Sequence, residues 1–185
     1  MKTITTNLFL VLLSVFFCHQ VLANEAPSPE DLITQACDRS LYKNVCKAIL
    51  ESDTEGKGSS DLQDLGKLAL QFASKNATAI FEQILDVFDS TTNEFERQCL
   101  ADCSEGFQDA IEQIHDAIEA LESKQYDDAN TWITGAMGDA QSYEEGFHEE
   151  PGHESPLSKM SELFSQICSI ALTITNLLNA DAPAA

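Results

Sequence analysis

Residues 62–88 read LQDLGKLALQFASKNATAIFEQILDVF, and the fold class can be argued from them. The apolar side chains recur at steps of three and four, which places them on one face of an α-helix. The members of this stripe are Leu62, Leu65, Ala69, Phe72, Ala73, Ala77, Ile80, Ile84 and Phe88. We therefore predict a long amphipathic helix that buries one face against other elements.

Three later stretches, at about 95–121, 129–147 and 157–178, repeat this spacing. The second of these three includes Trp132 in its apolar stripe. Polar breaks near 91–93, 123–125 and 149–155 separate the stretches, and Ser155 is expected to cap the last helix. No segment alternates with a period of two, so no sheet is expected. Four amphipathic helices with short connections predict an all-α, up-down-up-down four-helix bundle over residues 60–180.

A short arm at residues 29–50 precedes the bundle. Ser28 has the character of an N-cap, and Pro29 occupies the first helical position. A second short helix is expected from about Leu41 to Leu50. Such helices are too short to be stable alone. We predict a helical hairpin closed by a Cys37–Cys46 disulfide, worth roughly 2–3 kcal/mol through the loop that it closes.

The charge of the chain limits its partners. Among 185 residues, 10 are Lys or Arg and 31 are Asp or Glu, which gives a net charge of −21. Phosphate backbones and anionic membrane surfaces would repel such a protein, so neither nucleic acid nor membrane binding is expected of the mature form. Cationic partners are the ones that it would attract.

The N-terminus has the pattern of a secretory signal peptide. Lys2 precedes the apolar run 8–17, and small or apolar residues lead to a cleavage site after about Ala23. We therefore predict a signal peptide at 1–23, a secreted domain at 24–185, and disulfides in an oxidising compartment. Five cysteines remain after cleavage, and this odd number leaves at least one thiol free or bonded to another chain. Asn76 begins a glycosylation sequon.

A search for catalytic and metal-binding patterns finds none that is specific. The chain contains no P-loop, no Gly-x-Ser-x-Gly and no Cys-x-x-Cys motif. His148 and His153 flank two carboxylates, but Pro151 and Gly152 interrupt the helix that a zinc site would need. We predict no catalytic residue, no cofactor and no metal, and a secreted binding protein that acts through its surface.

Several segments resemble the plant invertase and pectin methylesterase inhibitor family. The segments that carry the resemblance are 33–37 (ITQAC), 42–46 (YKNVC), 61–66 (DLQDLG), 102–110 (DCSEGFQDA), 144–147 (EEGF) and 170–178 (IALTITNLL). The resemblance implies a four-helix bundle with an N-terminal hairpin, and a non-enzyme that inhibits a cell-wall enzyme of the apoplast without covalent bonding. It spans about residues 30–180.

One departure from the family concerns the cysteines. The resemblance implies a second disulfide from Cys103 to a position that here holds Tyr143, so this bond is missing. The pairing of Cys99, Cys103 and Cys168 stays open: a Cys99–Cys103 bridge would be strained within a helix, a Cys103–Cys168 bridge would cross the core, and a reduced, buried Cys103 is favoured.

The resemblance also bears on the target. Invertase inhibitors carry Pro-Lys-Phe where this chain has Tyr126-Asp127-Asp128, and these acids would be repelled by the carboxylates of an invertase site. Residues 138–141 (GDAQ) are, in contrast, similar to the invertase branch. We expect a 1:1 complex with a basic pectin methylesterase, with invertase as the alternative.

The outer faces of the second and third bundle helices are the predicted docking surface. Its candidate residues are Asp109, Glu112, Asp116, Tyr126 and Asp127. A different class of function, a carrier of a small apolar ligand in a pocket lined by Trp132, Met137 and Phe164, also remains open.

Overall fold

The computed structural model describes residues 28–52, 61–148 and 155–182. The signal peptide and the His153 loop predicted above lie outside these residues. The described helices are α1 (Pro29–Arg39), α2 (Lys43–Ser52), α3 (Leu62–Ser90), α4 (Glu94–Glu122), α5 (Tyr126–His148) and α6 (Ser158–Asp181). No strand occurs within the described ranges. The predicted all-α class is confirmed.

The four long helices form a closed ring of neighbours. Helix α4 packs against α3 and α5, and α6 closes the ring by packing against both α5 and α3. Phe107 of α4 and Phe164 of α6 meet edge to face across the centre, with their ring centroids 5.9 Å apart. Both side chains are fully buried. The predicted four-helix bundle is therefore confirmed, with aromatic contact across its diagonal contributing about 1 kcal/mol beyond burial.

The N-terminal arm is a helical hairpin, as predicted. Ser28 and Asp31 form a capping box at the start of α1. The Cys37–Cys46 disulfide joins α1 to α2, with the two Cα atoms 5.5 Å apart. The second helix begins at Lys43 rather than at Leu41, which lies in the turn with 87% of its surface exposed. The hairpin packs against α3 and α6.

The turn between α4 and α5 has a left-handed residue at Lys124, whose φ is 59°. The Gln125 N–H donates to the Ala120 carbonyl and the Lys124 N–H donates to the Leu121 carbonyl. This is a Schellman arrangement, which usually places Gly at the left-handed position. The tight turn explains why α4 and α5 are antiparallel neighbours.

The prediction that Ser155 caps the last helix was wrong, because the helix begins further along the chain. Helix α6 begins at Ser158, and its N-cap residue Leu157 makes no side-chain cap. The Ser155 hydroxyl instead accepts from the Leu157 N–H at 3.2 Å, so it stabilises a turn that precedes the helix.

Helix α6 is long and apolar enough to cross a membrane, judged by length and composition alone. Its apolar residues include Phe164, Ile167 and Ile174, which are buried in the bundle.

Candidate functional site

The acidic residues are concentrated on two neighbouring helices. Helix α4 carries nine Asp or Glu residues and a single Lys or Arg, and α5 carries five acidic residues and no Lys or Arg. Helix α3, by comparison, has four acidic and two basic residues. Because α4 and α5 pack side by side, their exposed sides form one strongly negative surface. We call this surface, formed by residues 94–122 and 126–148, the acidic face.

The five residues predicted for docking all belong to the two acidic helices, but they do not form one cluster. Asp109, Glu112 and Asp116 are exposed on α4. Tyr126 is partly buried against the core, and Asp127 accepts a hydrogen bond at 2.7 Å from Asn179 of α6. The start of α5 therefore directs Asp127 towards the last helix, and the predicted set divides into two groups.

The contact between α4 and α5 is fixed by a polar interaction. The Gln113 amide donates to Asp139 Oδ2 at 2.6 Å. Gln113 also lies over Gly135, where an added Cβ would fall 1.9 Å from its Oε1 atom. A side chain at position 135 would push the end of the flexible Gln113 side chain aside and disturb its hydrogen bond to Asp139.

Asp139 is electrostatically unusual within the acidic face. Partial burial raises the pKa of Asp139, and the nearby charge of Asp109 raises it further. The hydrogen bond from Gln113 acts in the opposite direction by favouring the carboxylate. The carboxyl group thus gains a proton more readily than an ordinary surface aspartate does.

Trp132 lies on the acidic face. The sequence had placed this residue in the apolar stripe of its helix. The residue is 41% exposed, although the neighbouring Ile133 is fully buried. The pocket predicted from Trp132, Met137 and Phe164 was wrong, because Phe164 is fully buried in the core while Trp132 faces solvent. Met137 instead lines a groove between α5 and α6. The sequence shows a single Trp on a helix that carries several carboxylates, but only the structure shows that it is exposed.

A groove of about 390 Å³ lies between α4 and α5 at the end opposite their turn. Its lining includes Cys99, Cys103, Ser142 and Gly146. The Cys99 Sγ donates to the Gly146 carbonyl at 3.6 Å. This groove is where the expected second disulfide would have joined the two helices.

The remaining thiols are not bridged to one another. Cys103 and Cys168 are buried and reduced. Burial raises the pKa of both thiols far above the ordinary range. Such thiols are poor nucleophiles, because the reactive form is the thiolate. Neither residue has the properties of a catalytic cysteine.

Other polar positions show no grouping typical of a metal site. Within residues 28–52, 61–148 and 155–182, no three His, Cys, Asp or Glu side chains lie close enough to hold a metal ion. His148 ends α5, and its Nδ1 atom lies 2.6 Å from the Glu144 carbonyl. Asn76 lies in the middle of α3, partly buried, with its Oδ1 atom shielded from solvent. Its glycosylation stays a prediction.

Comparison with known proteins gives consistent results. The family described as "Plant invertase/pectin methylesterase inhibitor" matches residues 31–174. A putative invertase inhibitor of Platanus orientalis is 33% identical over 81% of this chain and 91% of its own length. A pectinesterase inhibitor of Actinidia deliciosa is 27% identical over 94% of this chain and 95% of its own.

The fold has also been observed experimentally in a related protein. A crystal structure of a mutant form of a pectin methylesterase inhibitor from Arabidopsis superposes with a TM-score of 0.68 and 23% identity. The match covers 78% of this chain and 95% of the other. At this level of identity the likeness shows a shared fold.

Proposed function

Since this chain belongs to the plant invertase/pectin methylesterase inhibitor family, we propose that it inhibits a pectin methylesterase by docking non-covalently over the active-site cleft. The protein is an inhibitor and not an enzyme. Its relatives are named both for invertase and for pectinesterase inhibition, so the choice between these targets depends on this chain's own surface.

The acidic face is the observation that supports the esterase. Its two helices carry fourteen acidic residues and one Lys or Arg, which is complementary to a basic enzyme. Complementary potentials speed association and select the partner. We propose a 1:1 complex, formed outside the cell, with a basic pectin methylesterase.

Invertase is the second candidate, supported by relatives that are 28% and 33% identical and are named as putative invertase inhibitors. The start of α5 weighs against it. Asp127 and Asp128 are exposed there. Acidic side chains at this position would be repelled by the carboxylates of a glycosidase site, which speaks for the esterase.

The test compares both enzymes with one inhibitor. The mature protein is titrated against a purified pectin methylesterase and a cell-wall invertase at mildly acidic pH, and both rates are measured. We expect inhibition of the esterase alone. Inhibition of invertase alone would contradict the proposed target.

A charge-reversal pair tests the surface. Glu112→Lys with Asp116→Lys should raise the inhibition constant at least about tenfold at low salt and reduce its salt dependence. The matched control is Glu82→Lys with Asp86→Lys, an exposed pair of the same spacing and charge on α3. Equal effects of the two pairs would show that net charge, and not the acidic face, controls binding.

A further inference from the structure

Trp132 is the single tryptophan of the chain, and the residue is 41% exposed. It lies one turn from Asp128 and one turn from Gly135 on the side of α5 that faces α4. The inner side of the helix is already filled by Ala129, Ile133 and other small or branched residues. The indole is therefore a large apolar group that the bundle encloses only in part.

The register of the two helices fixes the surroundings of Trp132. Cys99 contacts Gly146, and Gly106 faces Asp139. Each residue further along α4 therefore lies level with one residue earlier on the antiparallel α5. Continuing this register places Trp132 level with Gln113. The exposed carboxylates of Asp109 and Asp116 lie one turn to either side on α4.

Neither of these two helices offers a Lys or Arg to the indole. Helices α4 and α5 contain one Lys or Arg, Arg97. Its Nη1 donates to the Phe88 carbonyl at 2.8 Å, and its guanidinium stacks 4.0 Å from the centre of the Phe88 ring. An aromatic face surrounded by carboxylates attracts a Lys or Arg from outside, through both the ring quadrupole and the net charge.

We propose that Trp132 is the anchor residue of the acidic face: it becomes buried on complex formation against a Lys or Arg beside the cleft of pectin methylesterase. Asp109, Asp116 and Asp128 neutralise the positive charge around that residue. Tryptophan is enriched among the few residues that dominate interface energies, and such anchors lie inside a polar rim. This inference rests on the proposed function.

Because Trp132 is the only tryptophan, it can be observed directly in the complex. The full mature protein labelled with 5-fluorotryptophan has one ¹⁹F resonance. On adding unlabelled pectin methylesterase, we expect this resonance to shift and to lose its sensitivity to the exchange of H₂O for D₂O. A resonance that stays solvent-sensitive in a saturated complex would overturn the proposal.

Substitution gives an independent readout. Trp132→Ala should raise the inhibition constant at least about thirtyfold, the loss typical of an anchor residue. Trp132→Phe keeps an aromatic face and should raise the inhibition constant less than Trp132→Ala does. Leu163→Ala on α6, where the residue is 38% exposed, is the matched control and should change the inhibition constant less than about twofold.

The outcomes separate this inference from the proposed function. If the wild type inhibits the esterase and Trp132→Ala inhibits it equally well, the anchor is wrong and the proposed function stands. If Trp132 becomes buried on invertase and not on the esterase, the proposed partner is wrong. A circular-dichroism spectrum identifies any variant that fails to fold, and the ¹⁹F measurement on the wild-type sequence then decides.

Discussion

A Tyr143→Cys variant should form a disulfide with Cys103 that joins α4 to α5. The register that pairs Cys99 with Gly146 and Gly106 with Asp139 brings Cys103 level with residues 142–143. The groove of about 390 Å³ at this level is lined by Cys103 on one helix and by Ser142 on the other. The bond requires Cα atoms roughly 4.4–6.8 Å apart.

The size of the effect follows from the loop that the bond would close. Residues 103 and 143 are separated by 143 − 103 = 40 positions. For a loop of this length, the chain-entropy estimate is about 4 kcal/mol. Engineered bridges commonly deliver less, because the native backbone must adjust. We expect the free energy of unfolding to rise by about 2–4 kcal/mol, which would shift the urea midpoint by roughly 1–2 M.

The assay combines a thiol count with urea unfolding. Burial raises the pKa of Cys103, so little thiolate is available in the folded protein and the bond should form during oxidative folding. After denaturation, the oxidised variant should show one reactive thiol fewer than the mature wild type. Peptide mapping should locate the new bond at Cys103.

The double variant Cys103→Ser with Tyr143→Cys is the control and should gain no stability. A bond from the new cysteine to Cys99 would refute the helix register used here. A correctly placed bond that leaves the free energy of unfolding unchanged would refute the loop-entropy reasoning.

Three further changes test other parts of the fold. Lys124→Gly should stabilise the protein by about 0.5–1 kcal/mol. Glycine relieves the strain of the left-handed φ of 59°, although it makes the unfolded chain more flexible. Thermal or urea unfolding measures the change in stability. Cys37→Ser with Cys46→Ser should lower the free energy of unfolding by about 2–3 kcal/mol, since the disulfide closes a loop between residues nine positions apart. The hairpin should then become the first site of limited proteolysis. Partial burial raises the pKa of Asp139, so its stabilising contribution is complete below pH about 4 and is lost as the pH rises through its folded-state pKa. Asp139→Asn should remove that part of the pH dependence of the free energy of unfolding, and an unchanged profile in urea titrations would contradict the assignment.

Local features of the fold were predictable because their causes are local. The spacing of apolar residues determined the four long helices, and the polar breaks at 91–93 and 123–125 coincide with the ends of α3 and α4. The Cys37–Cys46 bond followed from two cysteines near facing ends of two short helices. Turn details were harder, because Ser155 stabilises a turn before the helix that it was expected to cap.

The orientation of each helix about its own axis was decided only by the tertiary structure. Trp132 and Ile133 are adjacent in one apolar stretch, yet Ile133 is fully buried and Trp132 is 41% exposed. The sequence by itself determined that α5 is amphipathic and that the chain is acidic. Packing against α4 and α6 determined which edge of the stripe faces the core, because a stripe wider than the contact leaves one edge outside. The same rotation turned Asp127 towards α6 and brought Asp139 to Gln113, so the composition of the acidic face could be read only from the assembled bundle.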